Sequence, residues 1–202
     1  TEGSYRPKNS RGRYSESLTL EEAFAQSSNV AAVRLLGDVG SAKVIATARD
    51  LGVTAPLPEG DPSLALGTST MSLLELTSAY AAIAANEYPV EPHAFARPER
   101  GFFANLWDGP SSFSSSTQSE MEQMLRAAIN NGTGRAAMLS GPNFGKTGTT
   151  QDSRDAIFVG YAGGLVTAVW IGNDDNSPLP GGAAGGGVPA RIWRNFMSGA
   201  IN

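Results

Sequence analysis

The stretch Phe144-Gly145-Lys146-Thr147-Gly148-Thr149-Thr150 decides the fold, because it marks the point where helical spacing of apolar residues gives way to extended spacing. β-Branched and aromatic residues then fill two runs, 156–162 and 165–172. The Gly163-Gly164 pair between these runs is a hairpin signal, since glycine tolerates the positive φ that two-residue turns require. The sequence therefore predicts two adjacent antiparallel strands, with the lysine-bearing stretch as an edge strand.

Helical patterns fill most of the chain before this stretch. Capping boxes, in which Ser or Thr is followed three positions later by Glu, predict three helix starts, at Thr19, Ser72 and Thr117. Ser41 is predicted to cap a further helix, and an amphipathic closing helix is predicted from Pro189, with its apolar face formed by Ile192, Trp193, Phe196 and Met197. Helices followed by antiparallel strands and a closing helix favour an α+β fold, with an antiparallel sheet flanked by helices plus a helical subdomain. Residues 1–140 form the mainly helical part, and residues 141–202 carry the strands and the last helix.

Composition excludes several classes of function. The 202 residues are 41% hydrophobic and 17% charged, with no cysteine and a single histidine, His93. Disulfides and thiol chemistry are therefore excluded, and we expect neither a metal site nor a cofactor. The net charge of −4 predicts no partnership with nucleic acid. The apolar runs fall short of the roughly 18 residues of a membrane span, so the sequence predicts one globular domain.

The lysine-bearing stretch has two functional interpretations. A phosphate-binding loop would need glycine at position 140 and a following helix, but Ser140 stands there and extended sequence follows. An edge strand beside a cleft fits better, because Lys146 and two threonine hydroxyls would then face an anionic substrate. Gly148 would let a ligand approach the backbone, and the Thr149 N–H would face a carbonyl oxygen that becomes negative. A plain strand with a surface lysine remains the alternative.

The polar triplet Ser27-Ser28-Asn29 interrupts two helical stretches. It predicts a corner at which hydroxyl and amide groups point into a cleft. An ordinary helix-capping cluster is the alternative for this triplet taken alone. Ser-x-Asn and Lys-Thr-Gly elements occur together in serine-lysine enzymes that react with penicillin. We therefore expect segments 27–29 and 146–149 to line opposite walls of one groove.

The chain resembles the later part of the transpeptidase domain of class A, bifunctional penicillin-binding proteins. The resemblance runs through nearly all of its length, and it implies the transpeptidase fold shared with β-lactamases. The matching segments are Tyr5-Arg6-Pro7-Lys8-Asn9, Thr19-Leu20-Glu21-Glu22-Ala23-Phe24-Ala25, Ser27-Ser28-Asn29-Val30, Ala48-Arg49-Asp50-Leu51-Gly52, Ser63-Leu64-Ala65-Leu66-Gly67, Gly132-Thr133-Gly134-Arg135, Gly145-Lys146-Thr147-Gly148-Thr149-Thr150-Gln151, Arg154-Asp155-Ala156, Gly172-Asn173-Asp174-Asp175 and Pro189-Ala190-Arg191-Ile192-Trp193.

The resemblance implies an enzyme that cross-links peptidoglycan stem peptides through a serine acyl-enzyme and reacts with β-lactams. By this analogy Ser27, Asn29 and Lys146 are catalytic: Ser27 relays a proton to and from Lys146, and Asn29 positions the nucleophile's lysine and the substrate amide. Thr147, Gly148 and Thr149 would bind the substrate, with Thr147 and Thr149 holding its terminal carboxylate. The parent protein would be membrane-anchored, with this domain on the periplasmic side.

The sequence departs from the family at the nucleophile. The residues three positions before its lysines are Tyr5, Gly40 and Asn143, so the chain contains no Ser-x-x-Lys. We therefore expect the nucleophilic serine, the first strands of the sheet and a glycosyltransferase domain to precede Thr1, and the chain alone to be inactive. The missing elements would leave exposed apolar surface and low stability. The alternatives are a β-lactam sensor or penicilloyl serine hydrolase, and a noncatalytic peptidoglycan-binding module.

Four smaller expectations complete the sequence analysis. Residues 86–116 are predicted to be irregular, with short strands at most. The turn Asn131-Gly132-Thr133 is expected near the cleft, and the glycine-rich residues 181–187 are expected to form a mobile rim. Trp170 and Trp193 are predicted to lie in the core.

Overall fold

The computed structural model describes residues 5–9, 12, 14–95 and 109–201 of the chain. These residues form helices packed around a small antiparallel sheet, which confirms the predicted α+β class. The helices are α1 (Leu20–Ala25), α2 (Asn29–Val39), α3 (Ser41–Asp50), α4 (Leu73–Ala85), α5 (Ser115–Asn130) and α6 (Val188–Ala200), with 3-10 turns at Pro62–Leu66, Arg135–Ala137, Gln151–Ser153 and Pro180–Gly182.

The sheet has three antiparallel strands in the order β1 (Phe144–Thr149), β2 (Asp155–Ala162) and β3 (Leu165–Gly172). Gly163 and Gly164 form the hairpin turn at φ +57° and +77°, which confirms the predicted pairing of β2 and β3. β1 is the edge strand, as predicted, and its Lys146 is paired with Val159 of β2. The outer side of β1 is therefore free of strand partners among the described residues, and it can face a cleft.

The main core lies between β2 and the two long helices α5 and α6. Phe158, Ile129, Trp193 and Met197 are fully buried there. The Trp193 indole N–H lies 3.0 Å from the carbonyl oxygen of Thr167, so its one polar atom is satisfied inside the core. The prediction that Trp193 is a core residue is confirmed.

The core prediction for Trp170 is wrong. Its side chain is 45% exposed on β3, and its indole N–H donates to Asp155 Oδ1 at 2.8 Å across the hairpin. The closing helix α6 also differs from its predicted pattern, because Ile192 and Phe196 are exposed while Trp193 and Met197 face the core. Both differences arise because apolar spacing identifies a face without identifying what covers it.

The capping boxes Thr19–Glu22 and Ser72–Glu75 are both formed, as predicted. The third start is wrong by three residues, because Ser114, and not Thr117, caps α5, accepting from the Thr117 N–H. Ser41 does not cap α3 either. Its hydroxyl accepts a hydrogen bond from the Gly60 N–H, and Gly40 takes the N-cap position.

The connecting segments contain short stretches of regular structure, and the bridge found within 86–116 agrees with the prediction of short strands at most. The stretch around residues 54–70 contains the 3-10 turn Pro62–Leu66. An isolated bridge joins Tyr88 to Ser111, while residues 96–108 of the segment predicted to be irregular lie outside the described part of the chain. Within the described residues, the structure contains no helix long and apolar enough to cross a bilayer.

Candidate active site

A groove of about 310 Å³ runs between β1 and the corner that joins α1 to α2. Segments 27–29 and 146–149 both line it. The structure therefore brings together the six predicted site residues, which are Ser27, Asn29, Lys146, Thr147, Gly148 and Thr149. The remaining lining residues come from α1, α2 and the 3-10 turn and are mostly apolar: Leu20, Ala23, Phe24, Ala31, Ala32, Leu35, Ala65 and Leu66.

Ser27 sits in a backbone conformation that serine rarely adopts. It follows α1 with φ +54°, in the left-handed region. The Ser27 N–H donates to Phe24 O and the Ser28 N–H donates to Ala23 O, which together form a Schellman motif that ends α1. Glycine is the usual residue at this position. A serine held there places a hydroxyl in the groove at some cost in backbone energy.

Ser28 and Asn29 start α2. Ser28 is the N-cap and accepts from the Ala31 N–H, so the capping interpretation of the triplet holds for this residue. The Asn29 side-chain amide donates to Lys8 O at 2.8 Å, and Asn9 Oδ1 accepts from the Val30 N–H at 3.2 Å. The segment before Thr19 is thereby tied to the corner, and the amide oxygen of Asn29 takes no part in the bond to Lys8.

Lys146 is the cation of the groove. Its ammonium donates to Ser27 Oγ at 2.9 Å and to Thr147 O at 3.1 Å, and it lies 5.6 Å from the centre of the Phe24 ring. No carboxylate among the described residues forms an ion pair with it. Burial therefore lowers the pKa of Lys146 from 10.5 to about 8. A lysine whose pKa is near 8 can exchange a proton with a neighbouring hydroxyl.

Two threonine hydroxyls follow Lys146 along β1. Thr147 Oγ1 lies 2.6 Å from Thr133 Oγ1, and Thr149 Oγ1 accepts from the Gly185 N–H at 3.1 Å. Gly148 lies between them, and a Cβ there would meet only the Ile157 side chain, at 3.6 Å. The arrangement offers an anion one cation and two hydroxyl donors along a strand edge.

Sequence reasoning missed three contacts that shape this groove. Thr133 and Gly185 each hold a threonine of β1, and Phe24 lies beside the ammonium. The expected turn at 131–133 lies next to the groove, which it reaches through the contact of Thr133 with Thr147. The glycine-rich loop packs closely at Gly185, because a Cβ there would collide with the carbonyl oxygens of Ile157 and Gly148, and the mobility of this rim stays a prediction. The glycines of this loop are a signal of close backbone packing.

The chain is similar in sequence to proteins of a known family. Residues 1–198 match the family described as the penicillin-binding protein transpeptidase domain. The chain belongs to this family. Its relatives include penicillin-binding protein 1A of Neisseria gonorrhoeae, which is 30% identical over 96% of this chain and 26% of its own length. Penicillin-binding protein 1A of Rickettsia conorii is also 30% identical, over 98% of this chain and 28% of its own length.

Solved structures show the same fold. Penicillin-binding protein 1A from Haemophilus influenzae matches with a TM-score of 0.80 at 24% identity, covering 98% of this chain and 36% of that one. Penicillin-binding protein A from M. tuberculosis, solved as an imipenem acyl-enzyme complex, matches with a TM-score of 0.71 at 18% identity, covering 99% of this chain and 52% of that one. This transpeptidase-family chain thus spans about a quarter of the length of the curated relatives it matches.

Proposed function

We propose that the chain supplies the substrate-binding wall and proton relay of a serine D,D-transpeptidase that cross-links peptidoglycan. In this proposal a stem peptide ending in D-Ala-D-Ala lies along β1. A serine attacks the penultimate carbonyl, the terminal D-alanine leaves, and an amine of a neighbouring stem peptide resolves the acyl-enzyme. β-Lactams would enter the same groove and acylate the same serine.

The contact between Lys146 and Ser27 is the observation that carries this proposal. It joins residues 119 positions apart at 2.9 Å inside one groove. The ammonium has a pKa of about 8 because it is buried, so it passes between charged and neutral forms near physiological pH. Ser27 then passes a proton between Lys146 and the reacting centre. Asn29 offers its amide oxygen to the ammonium of the nucleophile's lysine.

The substrate carboxylate would lie against the two threonines of β1. Thr147 and Thr149 donate to it from one strand edge, and Lys146 adds the nearby positive charge. The backbone N–H of Thr149 is one of two donors to the oxyanion, a contact whose loss costs roughly 10²- to 10³-fold in rate. Gly148 leaves the space that lets the peptide approach the strand.

The nucleophile itself is proposed to come from outside these 202 residues, because no Ser-x-x-Lys occurs among them. We propose that it belongs to the same polypeptide, together with a glycosyltransferase domain and a membrane anchor that holds the transpeptidase on the periplasmic side. We also propose that residues 1–140 and residues 141–202 are the helical part and the strand-bearing part of one transpeptidase domain.

Labelling with a fluorescent penicillin tests the proposal. The full-length protein should form a stable covalent adduct, and residues 1–202 alone should form none. Incubation with pentapeptide-bearing peptidoglycan should release D-alanine and yield cross-linked dimers. Stoichiometric labelling of residues 1–202 alone would show that a serine within them is the nucleophile, and it would contradict the proposed division of labour.

The missing Ser-x-x-Lys also favours a second candidate, a noncatalytic module that keeps the groove to bind peptidoglycan. The same experiment separates the two, because such a module would bind stem peptides without releasing D-alanine. A penicilloyl serine hydrolase or sensor would be acylated by penicillin but would yield no cross-linked dimers.

A further inference from the structure

Thr133 lies in the turn between α5 and β1 and is connected to the groove through Thr147. Its hydroxyl oxygen is 2.6 Å from Thr147 Oγ1, and its N–H donates to Ala25 O at 3.1 Å. The preceding Gly132 leaves no room for a side chain, since a Cβ there would collide with the carbonyl oxygens of Ala25 and Ala128. The turn is therefore pressed against the end of α1.

The glycine-rich loop closes over Thr133 from another side. A Cβ on Gly186 would collide with Thr133 O and would lie 3.6 Å from Thr147 Cγ2. Three separate parts of the chain, α1, β1 and this loop, thus converge on one threonine. That convergence fixes the position from which the Thr133 hydroxyl meets Thr147.

The direction of the bond between the two hydroxyls decides what Thr147 can do. Each hydroxyl has a single proton, and either oxygen can be the donor in the bond. If Thr147 donates to Thr133, its lone pairs face the groove and repel an anion. If Thr133 donates instead, the Thr147 proton is released toward a carboxylate. An anion in the groove therefore selects Thr133 as the donor.

Thr149 shows the same arrangement with the direction already fixed. Its oxygen accepts from the Gly185 backbone N–H at 3.1 Å, which leaves its proton for another acceptor. Behind each hydroxyl thus lies a group that can donate to it, the Gly185 amide for Thr149 and the Thr133 hydroxyl for Thr147. The Thr149 proton is available to an anion without reorientation, whereas the Thr147 proton becomes available once Thr133 is the donor.

We propose that Thr133 is a positioning residue that orients the Thr147 hydroxyl as a hydrogen-bond donor to the substrate carboxylate. This inference rests on the proposed function and adds a residue to its carboxylate site. Thr133 acts only through Thr147, so its loss should weaken the binding of carboxylate-bearing ligands and leave the chemical step unchanged.

Acylation kinetics of the full-length protein test this inference, with benzylpenicillin and its methyl ester as probes. Thr133→Val keeps the β-branched shape and the N–H bond to Ala25 but removes the hydroxyl. We expect it to raise the apparent dissociation constant for benzylpenicillin about tenfold, with no change in the limiting acylation rate. Acylation by the ester should be unchanged, and Thr133→Ser should retain wild-type binding. Thr77→Val, which removes a hydroxyl bonded within α4, is the matched control.

A double-mutant cycle keeps the test decisive. Because Thr133 acts through Thr147, Thr133→Val combined with Thr147→Val should bind benzylpenicillin no worse than Thr147→Val alone. Additive losses, equal losses for the acid and the ester, or no loss at all would each overturn the inference. If Thr133→Val lowers the melting temperature markedly, Thr133→Ala takes its place against the same ester control. If the wild type is acylated by neither probe, the proposed function fails, and this inference falls with it.

Discussion

Two charged groups of this molecule, the Glu75 carboxylate and the Lys146 ammonium, differ in how well the surrounding protein stabilises their charge. The Glu75 carboxylate on α4 accepts from the Thr54 hydroxyl at 2.8 Å and from the Ala55 N–H at 2.9 Å. The Lys146 ammonium on β1 is held by a hydroxyl and a carbonyl and has no ion pair among the described residues. The Glu75 carboxylate is thus stabilised by hydrogen-bond donors, whereas the Lys146 ammonium has no carboxylate of the described residues to neutralise it.

The pKa of each group is lowered, but the two shifts have opposite meanings. The Thr54 backbone N–H, its hydroxyl and the Ala55 N–H hold the pKa of Glu75 near 2, because they stabilise the charged carboxylate. Burial holds the pKa of Lys146 near 8, because it destabilises the charged ammonium. Glu75 therefore stabilises the fold, whereas Lys146 costs stability that an anionic ligand can restore. Under the proposed function, Lys146 is therefore the functional charge of the two, and Glu75 is the structural charge.

The largest expected effect comes from removing the functional charge. Lys146→Met should lower the penicillin acylation rate of the full-length protein by roughly 10²- to 10³-fold, because the proton relay and the positive charge are both lost. The same substitution should raise stability at pH 7 by about 1–2 kcal/mol, since a buried unpaired charge is removed. Stopped-flow acylation and chemical denaturation measure the two effects. Lys43→Met, on the exposed face of α3, is the control and should change neither.

The stability gain from Lys146→Met should depend on pH in a fixed direction. Below about pH 8 the lysine is charged in both the folded and the unfolded protein, so its burial is costly in full. Between about 8 and 10.5 the folded protein loses the proton first, and the wild type gains stability as pH rises. The gap between variant and wild type should therefore narrow by pH 10. A gap that widens with pH would mean that the ammonium is stabilised in the fold.

Two glycines show the same difference between a structural and a groove position. A Cβ on Gly132 would collide with two carbonyl oxygens, so Gly132→Ala should lower the free energy of unfolding by about 3 kcal/mol. Gly148→Ala meets only the Ile157 side chain at 3.6 Å and should leave stability nearly unchanged while it weakens penicillin binding. Denaturation curves and acylation rates of the two variants should therefore show opposite patterns. A stable Gly132→Ala protein would contradict the packing of the turn against α1.

Removing the structural charge should affect stability alone. Glu75→Gln should lower the melting temperature at pH 7 by several degrees, because three donors from Thr54 and Ala55 lose a charged acceptor. The stability that Glu75 provides is present above pH 4.5 and is lost as pH falls toward 2. Wild type and variant should therefore converge in melting temperature in acid. Acylation at pH 7 should be unchanged, and Glu59→Gln serves as the surface control.

Patterns that depend on neighbouring residues were predictable from the sequence. The Gly163-Gly164 hairpin, two of the capping boxes and the corner at Ser27 each use contacts only a few positions apart. Local chemistry decides such features, so the residues themselves reveal them. The groove was predictable because the corner and β1 carry the Ser-x-Asn and Lys-Thr-Gly elements, which occur together in one type of active site.

Features that depend on distant packing were not predictable. The Thr133 contact to Thr147 requires knowledge of how the turn after α5 docks on α1. Trp170 is a large aromatic residue of the kind found in cores, and its sequence neighbours do not reveal that it lies at the surface with its N–H bonded to Asp155. The same limit applies to Ser41, whose partner Gly60 is 19 positions away. A single sequence shows which groups can form hydrogen bonds, but it does not show which distant groups they bond to.

The smallest predicted effect is a difference in stability between two variants of Ser27. It tests whether this serine is retained for its hydroxyl or for its backbone conformation. Ser27→Ala and Ser27→Gly both remove the hydroxyl that receives the Lys146 proton, so both should lower the acylation rate to a similar degree. Their stabilities should differ, because φ +54° is strained for alanine and unstrained for glycine. We expect the glycine variant to be more stable than the alanine variant by about 1 kcal/mol in urea denaturation. Glycine would then be the better residue for ending α1, and the serine would be retained for the groove. If instead the glycine variant acylates at the wild-type rate, the hydroxyl is dispensable, and Lys146 must exchange its proton by another route.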